Sequence, residues 1–333
     1  MKAFVIASGS ALPERIVSNE ELATQLGLPP EQILKSSGIK ERRWAKAGSS
    51  TSQLAAEALN KAIDEAGLTA GDIDYLILGT MTPDRFVPGS APSVQKILGL
   101  GEIPCLDIRD ACCNTLYGLQ LAKALITSNA AKHVAISVAE IQSAFLDLSP
   151  TSGTTSMLFG DGAAALIVSG AASKNSLEIV DVQLGTDGTY VDDLGIRCPG
   201  SQFGREQTAE NAADFLPRMK GQSVIIHASR KLVEASQSVL QRNGLNASDV
   251  RWIVPHQANA NLLAQVLKAL RITQSDILVS ILENTGNTSS ASMGLALDHL
   301  RRTGQITEGD LLLMPAFGAG FMWGAALCKS VSQ

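Results

Sequence analysis

One stretch of this chain occurs twice. EALNKAIDEAGLTAGDIDYLILGT (residues 57–80) lies over EASQSVLQRNGLNASDVRWIVPHQ (residues 234–257) at a constant spacing of 177 residues. In each copy the apolar residues first recur at helical spacing and stop at Gly-Leu. An Asp-containing turn follows, and then a short apolar run that suits a buried strand. A second pair, CLDIRDACCNTLYGLQLA and VSILENTGNTSSASMGLALD, aligns through Gly118 and Gly294, 176 residues apart. A third, MLFGDGAAALIV and MPAFGAGFMWGAALC, sets Phe159 opposite Phe317, 158 residues apart. Three features in one order predict a duplication: two α/β halves, residues 1–170 and 171–333, each with a buried sheet, packed together. The fall in spacing puts an extra segment before Phe159, and IQSAFLDLSPTSGTTS reads as that inserted loop.

Composition removes several function classes. With 333 residues, 45% of them hydrophobic, the chain can bury two domain-sized cores. A net charge of −5 gives no global reason to bind nucleic acid. The N-terminal apolar run is broken by Gly, Ser and Pro, and no apolar stretch of about 18 residues follows, so neither an export signal nor a membrane span is expected. Five cysteines without a secretory segment suit a reducing, cytoplasmic compartment, with Cys105, Cys198 and Cys328 as small buried hydrophobes. There is no CxxC pair, and His133, His227, His256 and His299 are scattered, so no metal site is expected.

The repeat also brings chemistry together. Aligned through the glycines, Cys112 falls opposite Thr288, next to Asn287, so Cys112 and Asn287 occupy nearly equivalent strand-to-helix corners of opposite halves. His256 follows the strand RWIVP at another such corner. Ligands of α/β folds bind beyond the carboxyl ends of strands, where Cys, His and Asn would converge. A cysteine at a helix start faces free N–H groups and the positive end of the helix dipole, both of which favour thiolate. That argument selects Cys112 as nucleophile, while alternation turns Cys113 into packing beside Tyr117. A histidine after an apolar strand is by itself commonly structural. Its company in PHQAN, with GNTSSAS nearby, is harder to dismiss, because polar groups clustered at apolar strand ends need partners or a task. FGAGFMWG is not a dinucleotide loop: strand-like residues follow it, whereas a pyrophosphate site needs a helix N-terminus. Its glycines suit close approach of a backbone N–H to a reacting atom, or a tight hairpin between core strands.

DACCNTLYGL, FGDGAAALIV, VPHQAN, ENTGNTSSAS and FGAGFMWGAAL, in that order, resemble beta-ketoacyl-acyl carrier protein synthase III of the thiolase superfamily, over essentially the whole chain. The resemblance implies a five-layered αβαβα thiolase-like fold, a homodimer, and a Cys112–His256–Asn287 site reached by a pantetheine tunnel. It implies decarboxylative Claisen condensation: Cys112 takes the acyl group of an acyl-CoA, with the N–H groups of Cys112 and Gly320 as oxyanion hole. His256 and Asn287 then hydrogen-bond the thioester carbonyl of malonyl on acyl carrier protein. Both thioesters are substrates, so no cofactor is implied. Carried over in the same way, substrate contacts fall on Gln32, Ser36, Phe86, Val87, Gly221 and Asn259, and carrier-protein contacts on Lys268 and Arg271. Four positions depart from the family pattern. Gln32 stands at the usual adenine-stacking tryptophan and Ser36 at the usual arginine. Asn261 replaces a docking arginine, and Val87 replaces a phenylalanine that in some members crosses the dimer interface.

Two other readings share the residues. Quinolone-type and polyketide-type condensing enzymes use the same catalytic set with other acyl donors. Cysteine peptidases also use Cys, His and Asn, but the chain lacks their CGSCW-like signature.

Overall fold

The computed structural model describes residues 1–331; residues 332 and 333 of the expected C-terminal half lie outside the described residues. The first half runs through β1 (Phe4–Ala11), β2 (Arg15–Ser18), α1 (Asn19–Leu26), α2 (Pro30–Ser37), β3 (Glu41–Trp44), α3 (Thr51–Glu65) and β4 (Tyr75–Gly79). It continues with α4 (Ala91–Leu98), β5 (Cys105–Ile108), α5 (Asn114–Thr127), β6 (His133–Glu140), α6 (Gly153–Ser156) and β7 (Gly162–Ser169). The second half comprises β8 (Ser176–Thr186), the short β9 (Leu194–Gly195) and β10 (Arg218–Met219), α7 (Gly221–Arg242), β11 (Trp252–Ile253) and α8 (Ala260–Ala269). It ends with α9 (Leu282–Thr285), α10 (Ala291–Thr303), β12 (Leu311–Gly318) and β13 (Met322–Val331).

The strand order makes the duplication visible. One half orders its strands β1-β7-β6-β4-β5, the other β8-β13-β12-β11, with Leu278 bridged in parallel to Ile253 where a fifth strand would stand. Each half therefore follows the sequence first, last, fourth, second, third. The two sheets join where β1 meets β8, through Phe4 with Glu178 and Val5 with Leu177. Tyr75 and Trp252, which open β4 and β11, keep the spacing of 177, as do Asn114 and Ala291, which open α5 and α10.

Hydrophobic patterning fixes five layers. On the outer face of the first sheet, Ala55, Leu59 and Ala62 of α3 pack on Leu76, Leu78 and Ile167. A capping box between Ser50 and Gln53 starts that helix. On the outer face of the second sheet, Ala235 and Val239 of α7 pack on Leu313, Ala325 and Leu327. Between the sheets lie α5 and α10, whose Leu116, Leu119, Met293 and Leu297 meet Val134 and Ile136 from one sheet and Leu312 and Met314 from the other. A helix with sheet on two sides must be apolar nearly all round, and α10 is buried without a break from Ala291 to Asp298 and again at Leu300. The one buried charge in that run, Asp298, accepts from the hydroxyls of Ser8 and Ser10. This is a thiolase fold. The segment between β6 and β7, read from sequence as an inserted loop, folds back on its own half: Leu146 and Leu148 pack with Leu22 and Leu26 of α1.

Candidate active site

Four corners of the chain meet at one end of the central helices. The first follows β5. Asp110 N–H donates to Asn114 Oδ1 at 2.7 Å, and Ala111 is held at φ +49°. That left-handed conformation costs a residue with a β-carbon on the order of 1–3 kcal/mol, so the surrounding contacts must enforce it. The turn leads directly into α5 and leaves Cys112 at the helix start with partial access to solvent, while Cys113 is fully buried in the central layer.

The second corner joins α9 to α10. Asn287 donates its N–H to Leu158 O at 2.8 Å and accepts from Gly160 N–H at 3.0 Å, and its side-chain Oδ1 accepts Ser289 N–H at 2.8 Å. With Oδ1 committed, the Nδ2 hydrogens are the donors this side chain has left. Ser289 stands at φ +50°, the left-handed conformation that Ala111 takes one register position earlier in the other half. Cys112 Sγ lies 3.5 Å from Ser289 Oγ. The sequence alignment through the glycines paired Cys112 with Thr288; the strand and helix starts place it opposite Ser289, so repeat-equivalent residues touch.

The third corner extends β11. Val254 and His256 donate their N–H groups to Leu313 O and Pro315 O, both at 2.9 Å, carrying the chain along β12. Ser292 Oγ donates to Ser289 O at 2.9 Å and accepts from Gln257 N–H at 3.1 Å. Its one hydrogen is thereby used, and it accepts from His256 Nδ1 at 2.7 Å. The network assigns the imidazole hydrogen to Nδ1 and leaves Nε2 a bare acceptor.

The fourth corner is the β12–β13 hairpin. A Cβ on Gly318 would stand 2.8 Å from Cys112 N and 3.2 Å from Ala111 Cβ. A Cβ on Gly320 would have three Met322 atoms as its nearest neighbours. Gly318 is thus the hairpin glycine packed directly on the Cys112 corner, and the α-carbon of Gly320 faces Met322. The strand ends at Gly318, paired with Met322, and Gly320 stands in the turn beyond at φ +131°.

Burial dominates the electrostatics. It pushes the Cys112 thiol up to about 11; contact with Ser289 and the residue's own N–H work against it, while the Glu140 charge adds to it. With burial the largest influence, Cys112 is a thiol at neutral pH, and the helix start that favours thiolate works against that burial. Burial also pushes His256 down to about 4, against the pull of the Ser289 carbonyl, so the imidazole rests neutral. A thiol, a neutral imidazole with a bare Nε2 and an amide donor make an acyl-transfer site, provided a proton moves during the reaction. Among the described residues no group of three or more His, Cys, Asp or Glu is placed to hold a metal ion.

The family models for 3-oxoacyl-[acyl-carrier-protein] synthase III and for its C-terminal region match residues 106–188 and 240–330. Beta-ketoacyl-[acyl-carrier-protein] synthase III of Chlamydia caviae is 38% identical over 331 residues, covering 99% of this chain and 97% of the relative. The protein of the same name from Rhizorhabdus wittichii is 39% identical over 328 residues, covering 98% and 99%. The chain belongs to the beta-ketoacyl-acyl carrier protein synthase III family. The crystal structure of the 3-oxoacyl-[acyl-carrier-protein] synthase III of Aquifex aeolicus superposes with a TM-score of 0.89 at 31% identity, covering 98% of this chain and 99% of that one. The protein is accordingly a condensing acyltransferase of fatty acid synthesis.

The remaining expected residues of this synthase are less concentrated. Gln32 and Ser36 lie exposed on α2, and the Ser36 hydroxyl is spent on Gln32 O at 2.7 Å. Asn259 is the N-cap of α8: its Oδ1 accepts from Asn261 and Leu262, and its Nδ2 donates to Ser36 O at 2.8 Å. Asn261 Nδ2 bonds the carbonyls of Lys35 and Ser36. These amides tie α2 to α8 in a neutral rim. Lys268 and Arg271 are exposed at the far end of α8, and Gly221 opens α7 with free space around its α-carbon. Phe86 and Val87 form an exposed apolar tip, 81% and 74% accessible. Sequence reasoning missed Ser289, Ser292, Gly318 and Glu140. The first two lie inside the GNTSSAS cluster it singled out; Glu140 gave no signal at all.

Proposed function

We propose that Cys112 takes the acyl group from an acyl-CoA and that His256 and Asn287 then act on malonyl carried by acyl carrier protein. The observation that supports this reading is the single junction at which Cys112, Ser289, the Ser292-held His256 and the amide of Asn287 adjoin. In the first half-reaction the Cys112 sulfur bonds to the acyl carbonyl carbon as its proton passes to His256 Nε2. The oxyanion is met by Cys112 N–H and an amide of the Gly318–Gly320 turn. When the carbon–sulfur bond to coenzyme A breaks, His256 returns that proton to the departing sulfur.

In the second half-reaction the bond to the malonyl carboxylate breaks and CO₂ leaves, its electron pair becoming an enolate. Asn287 Nδ2 donates to the thioester oxygen. Condensation takes up one proton per turnover, and the approaching negative charge raises the affinity of the imidazole for it. His256 Nε2 thus holds a proton beside the same oxygen. The carbanion bonds to the acyl carbonyl carbon, the acyl–Cys112 bond breaks, and the sulfur receives the proton. Decarboxylation replaces proton abstraction, so an amide suffices beside the imidazole.

Carrier protein, whose phosphopantetheine arm must reach Cys112, is assigned to the α8 end with Lys268 and Arg271. A homodimer is supported by β5, which ends the sheet with an outer edge open to a second strand, and by the apolar Phe86–Val87 tip beyond it. Among the described residues no helix is long and apolar enough to cross a membrane, and five free cysteines suit the cytoplasm. Intact-mass measurement after incubation with individual acyl-CoAs tests the reading. One acyl adduct is expected on the wild type and on Cys113→Ser, and none on Cys112→Ser. An adduct retained by Cys112→Ser would overturn it.

A further inference from the structure

Glu140 ends β6, is wholly inaccessible to solvent, and bonds Ser290, the neighbour of the Ser289 that touches Cys112. Ser290 Oγ donates to its Oε1 at 2.6 Å, and Thr82 Oγ1 donates to its Oε2 at 3.1 Å. The Met81 N–H is shared between the two oxygens at 3.2 and 3.1 Å, and Gln142 Nε2 reaches Oε2 at 3.3 Å. Every one of these groups is a donor, which is the environment of an ionised carboxylate; a protonated acid would set its own hydrogen against one of them. Burying a carboxylate against neutral donors alone is expensive, and burial pushes its pKa up to about 7 even with the Ser290, Met81 and Thr82 bonds opposing that rise. A fold that needed only filling at this position would carry an apolar residue.

The partners show what the carboxylate does. Ser290 follows Ser289, the strained residue that touches Cys112, and the Ser290 carbonyl accepts from Thr115 Oγ1 of α5 at 2.9 Å. The Met81–Thr82 turn is the root of the loop that carries Phe86 and Val87, and Thr82 Oγ1 also accepts Ile141 N–H at 2.9 Å. One carboxylate thus ties the end of β6, the root of that loop and the α10 corner together. The titratable groups on the elements around it are Cys112 on the α5 corner, Asp84 beyond Thr82, Asp161 ahead of β7 and His256 beyond Ser292. Among these, Cys112 feels the Glu140 charge as a force against ionisation.

We propose that Glu140 is a positioning residue of the active site: through Ser290 it holds the Ser289 corner against Cys112. This rests on Cys112 being the nucleophile. The test compares Glu140→Gln, Ser290→Ala and the double variant with wild type, all corrected for folded fraction by circular dichroism. The readouts are condensation kcat and KM, and the pH profile of Cys112 alkylation by iodoacetamide located by peptide mass. Glu140→Gln is expected to lower kcat at least about tenfold with KM within about threefold, and to shift the alkylation midpoint down by about half a pH unit or more. Ser290→Ala keeps the charge, so kcat should fall without that downward shift. The double variant should be no slower than Glu140→Gln, since both remove one link. Wild-type kcat together with an unmoved alkylation profile in Glu140→Gln would overturn the proposal, and so would fully multiplicative losses in the double variant. If Glu140→Gln does not fold, Ser290→Ala with unchanged kcat overturns it alone. Failure of the underlying reading shows separately, as an acyl adduct retained by Cys112→Ser.

Discussion

Replacing Gly318 with alanine tests how the hairpin serves the nucleophile. The added Cβ would stand 2.8 Å from Cys112 N and 3.2 Å from both Ala111 Cβ and Cys112 Cβ. Non-bonded contacts to carbon settle at about 3.5–4.0 Å, so the two corners must separate by roughly 0.5–1 Å, and the atoms in the way are a backbone nitrogen and two β-carbons fixed to the backbone, none of which can swing aside. Overpacking of this kind costs about 1–3 kcal/mol of stability. The larger effect is on chemistry: a displacement near 1 Å costs about 10²-fold, and losing one oxyanion donor about 10²–10³-fold. Gly318→Ala should therefore acylate at least about 10²-fold more slowly in single turnover, read by quenched intact mass and normalised to folded protein. Gly320→Ala is the control. Its strain comes from φ +131°, and its nearest neighbours are atoms of Met322, mostly a flexible side chain, so it should lose stability while acylating faster than Gly318→Ala. Acylation by Gly318→Ala within about threefold of wild type would refute the close-approach argument. Gly320→Ala as the slower variant would place the oxyanion contact at Gly320.

The two half-reactions should separate by residue. Asn287→Ala should slow malonyl thioester decarboxylation by about 10²-fold while sparing self-acylation, and His256→Ala should slow both, because Nε2 serves in each; sparing of self-acylation in His256→Ala would remove the histidine from the first step. Stability should respond to pH in opposite senses at two buried groups. Glu140, raised to about 7, contributes stability that is full below its unfolded value near 4.5 and lost as pH rises through 7; His256, lowered to about 4, contributes stability present above 6.5 and lost as pH falls towards 4. Each effect amounts to about 3 kcal/mol, so between pH 6.5 and 4.5 denaturant midpoints of Glu140→Gln should fall more steeply than those of wild type, and those of His256→Gln should rise relative to wild type; parallel profiles would contradict both. With Gln32 exposed and Ser36 bonded to its own helix, neither residue stacks on adenine, so kcat/KM for acyl-CoA should exceed that for the same acyl-pantetheine by less than about a hundredfold, roughly 2.7 kcal/mol. A larger preference would show that another residue clamps the nucleotide.

Much of the fold was legible because the duplication writes itself in residues that cannot be polar. Helices α3 and α7 and strands β4 and β11 repeat their apolar spacing, and both turns keep a capping box, Thr69 with Asp72 and Asn246 with Asp249. Cys112, Asn287 and His256 stood out because each is reactive or polar at the end of an apolar run. Gly318 and Gly320 could not be told apart, since which glycine abuts Cys112 depends on where β12 stops. Glu140 was invisible for a different reason. Its partners Met81, Thr82 and Ser290 lie 59, 58 and 150 residues away, and only the stacking of β4, β6 and α10 brings them to one carboxylate.

Duplication also explains why strain appears where it does. In each half the chain leaves a buried sheet and enters a central helix enclosed on two sides, so the corner has little room, and each half solves this with one left-handed non-glycine residue, Ala111 or Ser289. Either conformation alone would relax. Asp110 with Asn114 holds the first, and Asn287 Oδ1 with the Ser292 hydroxyl holds the second. The groups that enforce the second corner are the ones that orient the chemistry: binding Ser289 N–H turns the Asn287 amide so that its N–H₂ is free, and binding Ser289 O makes the Ser292 oxygen an acceptor for His256 Nδ1. The tautomer of the imidazole and the orientation of the amide are therefore consequences of holding one strained residue in place. A substitution that relaxes Ser289 should disturb both half-reactions at once, even though Ser289 itself transfers nothing.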